Sequence, residues 1–332
     1  MRINNCEVCG FNELTPVLDL GRHPLCDDLV KIGTDRKCNE FSIEIGFCSN
    51  CFTAHQLNNV PKELLFPQTY HYRARMTGSV LAGMKDLSRS CVDHIGSLEG
   101  KTVLDVGCND GSLLNFFEDL GAKCIGVEPT NAAKDSKHIT YNNFFDTETA
   151  QKILTDHGKI DIITFTNVFA HIEDLPTLLK NVDLLLKVDA TLVVENHYLG
   201  TVLDTGQFDT FYHEHPRTYS EKSFRYIASS LKRRVSKIEY VSRYGGNIRV
   251  FINAGAEVEP IKNESKFLAK FETMGSEIKA WADLTREKIT KLVDKHGPLH
   301  AKAFPGRAAI LVKLLGLSTD QVRVVYEITG SK

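Results

Sequence analysis

From about residue 100 onward, short apolar runs alternate with stretches whose apolar positions recur at helical spacing. The segment "KTVLDVGCNDGSLLNFFEDLGAKCIGVEP" predicts a strand over Thr102 to Val106, a glycine turn from Gly107 to Gly111, an amphipathic helix from Leu113 to Leu120 and a second strand from Lys123 to Val127. This is the opening βαβ unit of a doubly wound α/β sheet. Next, "DIITFTNVFAHIEDLPTLLKNVDLLL" predicts a strand over Asp161 to Phe165 and then a helix, and "ATLVVENHYLG" predicts another strand. A glycine pair, Gly245 and Gly246, leads into a strand over Ile248 to Phe251; a charged helical stretch runs from Asn263 to Lys295. The closing residues read as strand, glycine turn, helix, strand. No apolar run approaches the roughly 18 residues of a membrane span, and the first ten residues lack the apolar core of a signal peptide. A cytoplasmic protein is expected.

Composition changes this picture in two ways. Forty basic and 42 acidic side chains leave a net charge of −2 without a concentrated Lys/Arg block, which disfavours nucleic-acid and anionic-membrane partners. The nine cysteines are an odd number in a reducing setting, so a disulfide framework does not explain them. Four of them form two C-x-x-C pairs, Cys6 with Cys9 and Cys48 with Cys51, the ligand set of a closed, structural zinc site. Cys26, Cys38, Cys91 and Cys124 are expected to be small buried residues.

The glycine turn after the first strand carries chemistry. Its pattern is D-x-G-x-N-D-G, and the acids Asp105 and Asp110 make it a poor seat for a pyrophosphate, which wants bare backbone N–H groups at a helix start. An acid-bordered turn suits a ligand with an ammonium and a sulfonium, which points to S-adenosylmethionine. Gly107, Asn109 and Gly111 complete the turn, and Glu128, followed by Pro129 at the end of the second strand, is placed to accept ribose hydroxyls. Asn167 and His171 fall near the carboxyl edge of the next strand, where open α/β sheets bind ligands. Simple turn caps and a solvated strand end are the plain alternative for the three acids. The loop "FYHEHPRTYS" crowds Tyr212, His213, Glu214 and His215 together. Two readings of it compete with a catalytic one: metal binding through H-x-H, and a polar turn that satisfies its own backbone.

Taken in order, "CEVC…CSNC", "YHYR", "VLDVGCNDGSLL", "GVEP", "TNVFAHIED", "FDTFYHEHPRTYS" and "YGGNIRVFI" resemble the sugar C-methyltransferases, whose best-known members methylate C3 of a nucleotide-linked 4-keto deoxysugar. The resemblance runs over most of the chain and implies three domains: a zinc-binding unit over 1–70, a Rossmann-like S-adenosylmethionine domain over 71–255, and a C-terminal α/β unit over 256–332 that helps hold the nucleotide sugar. It also implies that His215 is the general base, with Tyr72 or Tyr70 close by (Tyr72 favoured), while Tyr212 and Glu214 match the motif's other positions. Such roles suit carbon methylation, because a sugar carbon attacks only after losing a proton beside a carbonyl. The site then needs a base near neutral pKa and donors for the developing oxyanion. Tyr72, Tyr212 or His213 can donate, and Glu214 can fix an imidazole tautomer.

The chain departs from the family pattern at Tyr244 and Asn247, where relatives carry His and Ser, and its C-terminal unit looks cut to one βαβ. Arg249 faces either a phosphate or solvent on this reading; Arg307 meets either a diphosphate or an ordinary turn. The leading expectation is a C-methyltransferase of a keto nucleotide sugar. Its rivals are an O- or N-methyltransferase of another small metabolite and a non-catalytic binding module.

Overall fold

A computed structural model describes residues 2–26, 28, 30, 34–66 and 72–327. Tyr70 lies outside the described residues. Near the N-terminus are strands β1 (Thr15–Pro24), β2 (Glu40–Phe47) and β3 (Ala54–Gln56), then helices α1 (Lys62–Leu65) and α2 (Gly78–Ile95). The central unit follows with β4 (Thr102–Val106), α3 (Ser112–Glu118), β5 (Lys123–Val127), β6 (Ile139–Tyr141), α4 (Thr147–His157), β7 (Ile160–Thr166), α5 (Leu175–Leu185) and β8 (Leu186–His197). After α6 (Leu199–Thr205) come β9 (Arg217–Thr218), α7 (Glu221–Ser230), β10 (Arg234–Val241) and β11 (Asn247–Asn253). Last are α8 (Phe267–His296), β12 (Leu299–Lys302), α9 (Ala308–Leu315) and β13 (Val322–Tyr326).

Seven strands form the central sheet in the order β10-β11-β8-β7-β4-β5-β6. The five from β8 to β6 run parallel, whereas β11 pairs antiparallel with β8 and with β10. The parallel strands are covered on both faces, so they read as continuous apolar runs, as in "TLVV" of β8, where every residue is buried. From β4 the chain first winds outward through β5 and β6, then returns to β7 and winds the other way. The topological switch point therefore lies between β4 and β7, and a cleft opens there at the carboxyl ends of the strands.

Local sequence sets the helix starts. Asp146 caps α4 by accepting from the Thr149 N–H at 2.8 Å; Asp174 caps α5 in the same way, with a proline in the first turn. Ser220 and Ser223 form a reciprocal capping box at α7. Along α8, Phe267, Phe271, Met274, Ile278 and Ala282 recur at three- and four-residue spacing and are buried, giving one apolar stripe on a long charged helix.

A second sheet, in the order β1-β2-β3-β9, joins the N-terminal strands to two residues of the Y-H-E-H loop, with Ala54 opposite Thr218 and His55 opposite Arg217. Its inward residues Leu18, Ile43 and Phe47 share one core with the central sheet. At the other end of the chain, β12 and β13 form a parallel pair, and α9 packs against α8 and β1. Among the described residues, no helix is long and apolar enough to cross a membrane.

Candidate active site and cysteine cluster

The cleft at the switch point encloses about 1040 Å³. Its floor comes from the strand ends: Gly107 and Asn109 after β4, Glu128 and Pro129 after β5, Asn167 after β7, and His197 at the end of β8. Gly107 has φ +74°, and a Cβ there would meet Val168 at 2.4 Å, so the bare backbone is what lets the two turns approach. Asn109 and Asn167 also hold left-handed backbone, with φ of +51° and +54°. Glu128 is buried; one carboxylate oxygen accepts from the Asn109 N–H at 3.0 Å, the other from the Thr130 N–H and hydroxyl at 2.9 and 2.6 Å. With about four acceptor positions on a carboxylate, this leaves room for a ligand hydroxyl. The side-chain nitrogen of Asn167 is buried with no protein partner, while its oxygen accepts from Asn247 at 3.0 Å. An orphaned donor and an unfilled acceptor in one bare-backbone cleft fit a polar cofactor.

Two of the expected acids turn away from that cleft. Asp110 caps its own turn, accepting from the Ser112 N–H and hydroxyl with one oxygen and from the Arg75 N–H with the other. Asp105 lies behind the turn, where it accepts from the Thr164 hydroxyl at 2.7 Å, and burial raises its pKa to about 7. Gly111, with φ +75°, makes the bend into α3 and does not reach the cleft. These residues shape the turn that Gly107 and Asn109 present. Asn109 also reaches outward: its side chain accepts from the Ala74 N–H and donates to the Tyr72 carbonyl at 3.2 Å, fixing the segment that carries Tyr72.

The opposite wall is aromatic. The His215 ring lies 4.3 Å from Tyr212, 4.7 Å from His171 and 5.3 Å from His197, centroid to centroid. His215 Nδ1 is held by the Thr210 carbonyl at 3.0 Å, and His171 Nδ1 by the Glu214 carbonyl at 2.7 Å. Burial is the main force on all three imidazoles. It lowers His171 to about 4 and His197 to about 3, and takes His215 well below 6.5 with help from its two imidazole neighbours. All three are therefore neutral at pH 7, and burial holds His215 below the near-neutral range expected of the base. Tyr72, with 43% of its surface exposed at the cleft mouth, places its hydroxyl 3.4 Å from that of Tyr244; partial desolvation and the neighbouring phenol raise its pKa, so it stays protonated.

Other expectations meet different outcomes in the loop. Glu214 does fix an imidazole, but through its carbonyl, and the ring it fixes is His171. His213 points its Nε2 to the Phe41 carbonyl at 3.0 Å, outside the cleft, so it cannot donate to a ligand there or share a metal with His215. Cys26 is half-buried on the cleft wall instead of in a core; Cys38 and Cys124 are also half-buried, and Cys91 is fully buried. Arg249 faces neither phosphate nor solvent. It is buried against Glu195 at 2.9 Å, Glu239 at 2.8 Å and Asp86 at 2.9 Å. Arg307 sits at the rim, donating to the Thr210 hydroxyl at 2.9 Å. Sequence reasoning did not assign His197 or Tyr244 to the site. The signal for His197 was its place at the carboxyl end of a parallel strand; Tyr244, with φ +50°, is carried in by the strained turn before β11.

The four cysteines of the C-x-x-C pairs converge, with all Sγ atoms within 4.8 Å of one another, Cys6 to Cys51 at 3.4 Å and Cys9 to Cys48 at 3.6 Å. A tetrahedral shell with Zn–S near 2.3 Å requires sulfurs about 3.8 Å apart, so the group fits zinc. Left-handed Gly10 (φ +73°) and Phe52 (φ +58°) close the two knuckles.

Residues 82–237 match the family "Methyltransferase domain", and residues 6–66 match "Putative zinc binding domain". C-methyltransferase NovU of Streptomyces niveus is 28% identical across 99% of this chain and 82% of its own length. Ubiquinone biosynthesis O-methyltransferase of Acinetobacter baylyi is 31% identical over 29% of this chain and 43% of its own. Among solved structures, magnesium protoporphyrin IX methyltransferase from Synechocystis has a TM-score of 0.41 at 16% identity, covering 52% of this chain and 82% of that one.

Proposed function

We propose that this chain, which belongs to the S-adenosylmethionine-dependent methyltransferases and carries a zinc-binding domain at its N-terminus, methylates a carbon beside the ketone of a nucleotide-linked keto-deoxysugar. The observation that carries this reading is the convergence of three neutral imidazoles and a pair of phenols on the wall facing the cofactor turn. Transfer to oxygen or nitrogen needs little beyond alignment, whereas carbon must first be deprotonated. Similarity to a C-methyltransferase over nearly the whole chain supports the same choice.

When bound, S-adenosylmethionine supplies an electrophilic methyl group. Gly107, Asn109, Glu128, Pro129 and Asn167 are the residues that hold it, with Asp105, Asp110 and Gly111 shaping the turn from behind. His215 takes the proton from the acceptor carbon. Its Nδ1–H is committed to the Thr210 carbonyl, which leaves the basic lone pair on Nε2. Tyr72, backed by Tyr244, donates to the enolate oxygen as charge develops there. His171 and Tyr212 pack His215 from two sides and keep water off it; Glu214 orients His171. Cys6, Cys9, Cys48 and Cys51 hold a structural zinc, since four thiolates leave no open coordination position. Reduced thiols as metal ligands are consistent with a cytoplasmic setting.

The test is a methyl-transfer assay with carbon-13-labelled donor against nucleotide-linked 4-keto sugars and their non-keto counterparts. Label should appear as a methyl bonded to carbon, with keto acceptors alone. Label on oxygen or nitrogen, or equal turnover of non-keto sugars, contradicts the reading.

A further inference from the structure

The proline and arginine that follow Y-H-E-H have no role in the chemistry above, yet Arg217 is among the largest fully buried side chains of the molecule. A buried guanidinium is costly unless every donor is matched. Here the matches come from three separate parts of the chain. Nε–H donates to the Tyr219 hydroxyl at 3.0 Å. One terminal nitrogen donates to the carboxylate of Glu7 and, at 3.1 Å, to the Glu173 carbonyl; the other donates to the Ile172 carbonyl. Glu7 lies inside the first cysteine knuckle, between Cys6 and Cys9. Ile172 and Glu173 directly follow His171.

The backbone makes parallel ties. Arg217 pairs across the sheet with His55, whose Nε2 lies 3.3 Å from Cys6 Sγ. The Gln56 N–H donates to the Pro216 carbonyl at 2.8 Å, and the Gln56 side chain donates to the Tyr212 carbonyl at 3.2 Å. Three residues past Arg217, the Ser220 hydroxyl donates to the Cys51 carbonyl at 3.0 Å. The cysteine cluster is thus fastened to the loop just after His215, and the same guanidinium fastens it to the turn just after His171.

We infer that Arg217 is a positioning residue that joins the cysteine cluster to the imidazole wall of the cleft, so that metal loading of the cluster sets where His171 and His215 stand. Outer-shell partners of metal sites commonly fix what the metal orders. In this chain the ordered object is the loop of another unit. Lysine has the charge but not the planar fork, so it cannot serve Glu7, Tyr219 and two carbonyls together.

The kinetic side of this inference rests on the reading of His215 as base, while its structural side does not. The experiment therefore takes zinc-loaded wild type, Arg217→Lys, Arg217→Met and Glu7→Gln, and measures zinc content, amide hydrogen exchange, cofactor affinity and kcat. For Arg217→Lys, zinc should stay at one per chain and cofactor affinity within about twofold, while exchange quickens in 169–174 and 210–219 and stays unchanged in β4 and β7. kcat should fall about 10–100-fold, the usual range for outer-shell changes. Glu7→Gln should loosen the same two segments to a smaller degree, which keeps the test available if Arg217→Met fails to fold. Stripping zinc from wild type should loosen those segments too; in Arg217→Lys it should add little in 169–174, where the guanidinium made the tie, and still loosen 210–219 through the Gln56 and Ser220 bonds. Unchanged exchange in both segments overturns the inference, as does faster exchange spread equally through β4 and β7. Local loosening without the fall in kcat would leave the coupling standing and count against His215 as the base.

Discussion

His215 and Tyr72 illustrate how far a residue's role can be read before its neighbours are known. The loop motif made Tyr212 and His215 candidates and the strand edge made His171 one, and the structure brings these three rings together around one ring nitrogen left free to accept. Asp105 and Asp110 were equally prominent, but a sequence does not say which side of a turn a carboxylate faces. Each is drawn behind the turn by a hydroxyl or backbone N–H close at hand. His197 and Tyr244 reach the cleft from elements far apart in the chain, meeting at 5.8 Å between ring centroids. At this scale, Tyr72→Phe should lower kcat about 10²–10³-fold, the range for one oxyanion donor, with cofactor affinity unchanged. Tyr244→Phe should cost less, and the double variant little more than Tyr72→Phe alone, because the two hydroxyls act as one unit. Additive losses in steady-state kinetics would show that they act separately.

Elements with strong periodicity were legible almost to the residue. The expected strands over Thr102 to Val106 and Lys123 to Val127 match β4 and β5, and the charged helix expected from Asn263 is α8, Phe267–His296. The expected helix from Leu113 to Leu120 is α3, Ser112–Glu118, ending early as the chain tightens into the turn at Gly121, φ +84°. β8 is longer than its apolar run because it follows α5 with no intervening loop. What periodicity could not show is the sheet that borrows β9, since two residues carry no period of their own. Nor could it show that Arg249, one polar residue in an apolar strand, lies inside a network with Glu195 that pins β11 to β8. Arg249→Met removes one partner and leaves Glu195 facing only Arg243, at 3.1 Å, and Asn247. Because Arg243 still pairs with Glu195, the substitution should destabilise the fold by about 1–3 kcal/mol in denaturant melts, less than a buried charge left uncompensated. A loss below about 1 kcal/mol would mean that the network is dispensable.

Across the whole molecule, the buried imidazoles link stability to pH. His171, His197 and His215 have folded pKa values below the unfolded value of about 6.5, so their contribution is full above that pH and is lost as pH falls toward 4. Asp105, raised to about 7, acts in the opposite sense: its contribution is full below the unfolded value of about 4 and is lost as pH rises through 7. Between pH 6.5 and 4 the histidines outnumber it, so the unfolding free energy should fall as pH falls through that window. Alanine at His197 should flatten that slope. The same neutral imidazoles carry the central claim, that His215 strips a proton from carbon before methyl transfer. Deuterium uptake from solvent at the carbon beside the ketone, followed by NMR on a 4-keto nucleotide sugar without methyl donor, tests it most directly. Wild type should exchange that position and His215→Ala should slow it about 10²–10⁴-fold, the contribution of a positioned base. Equal exchange in both proteins would contradict the account.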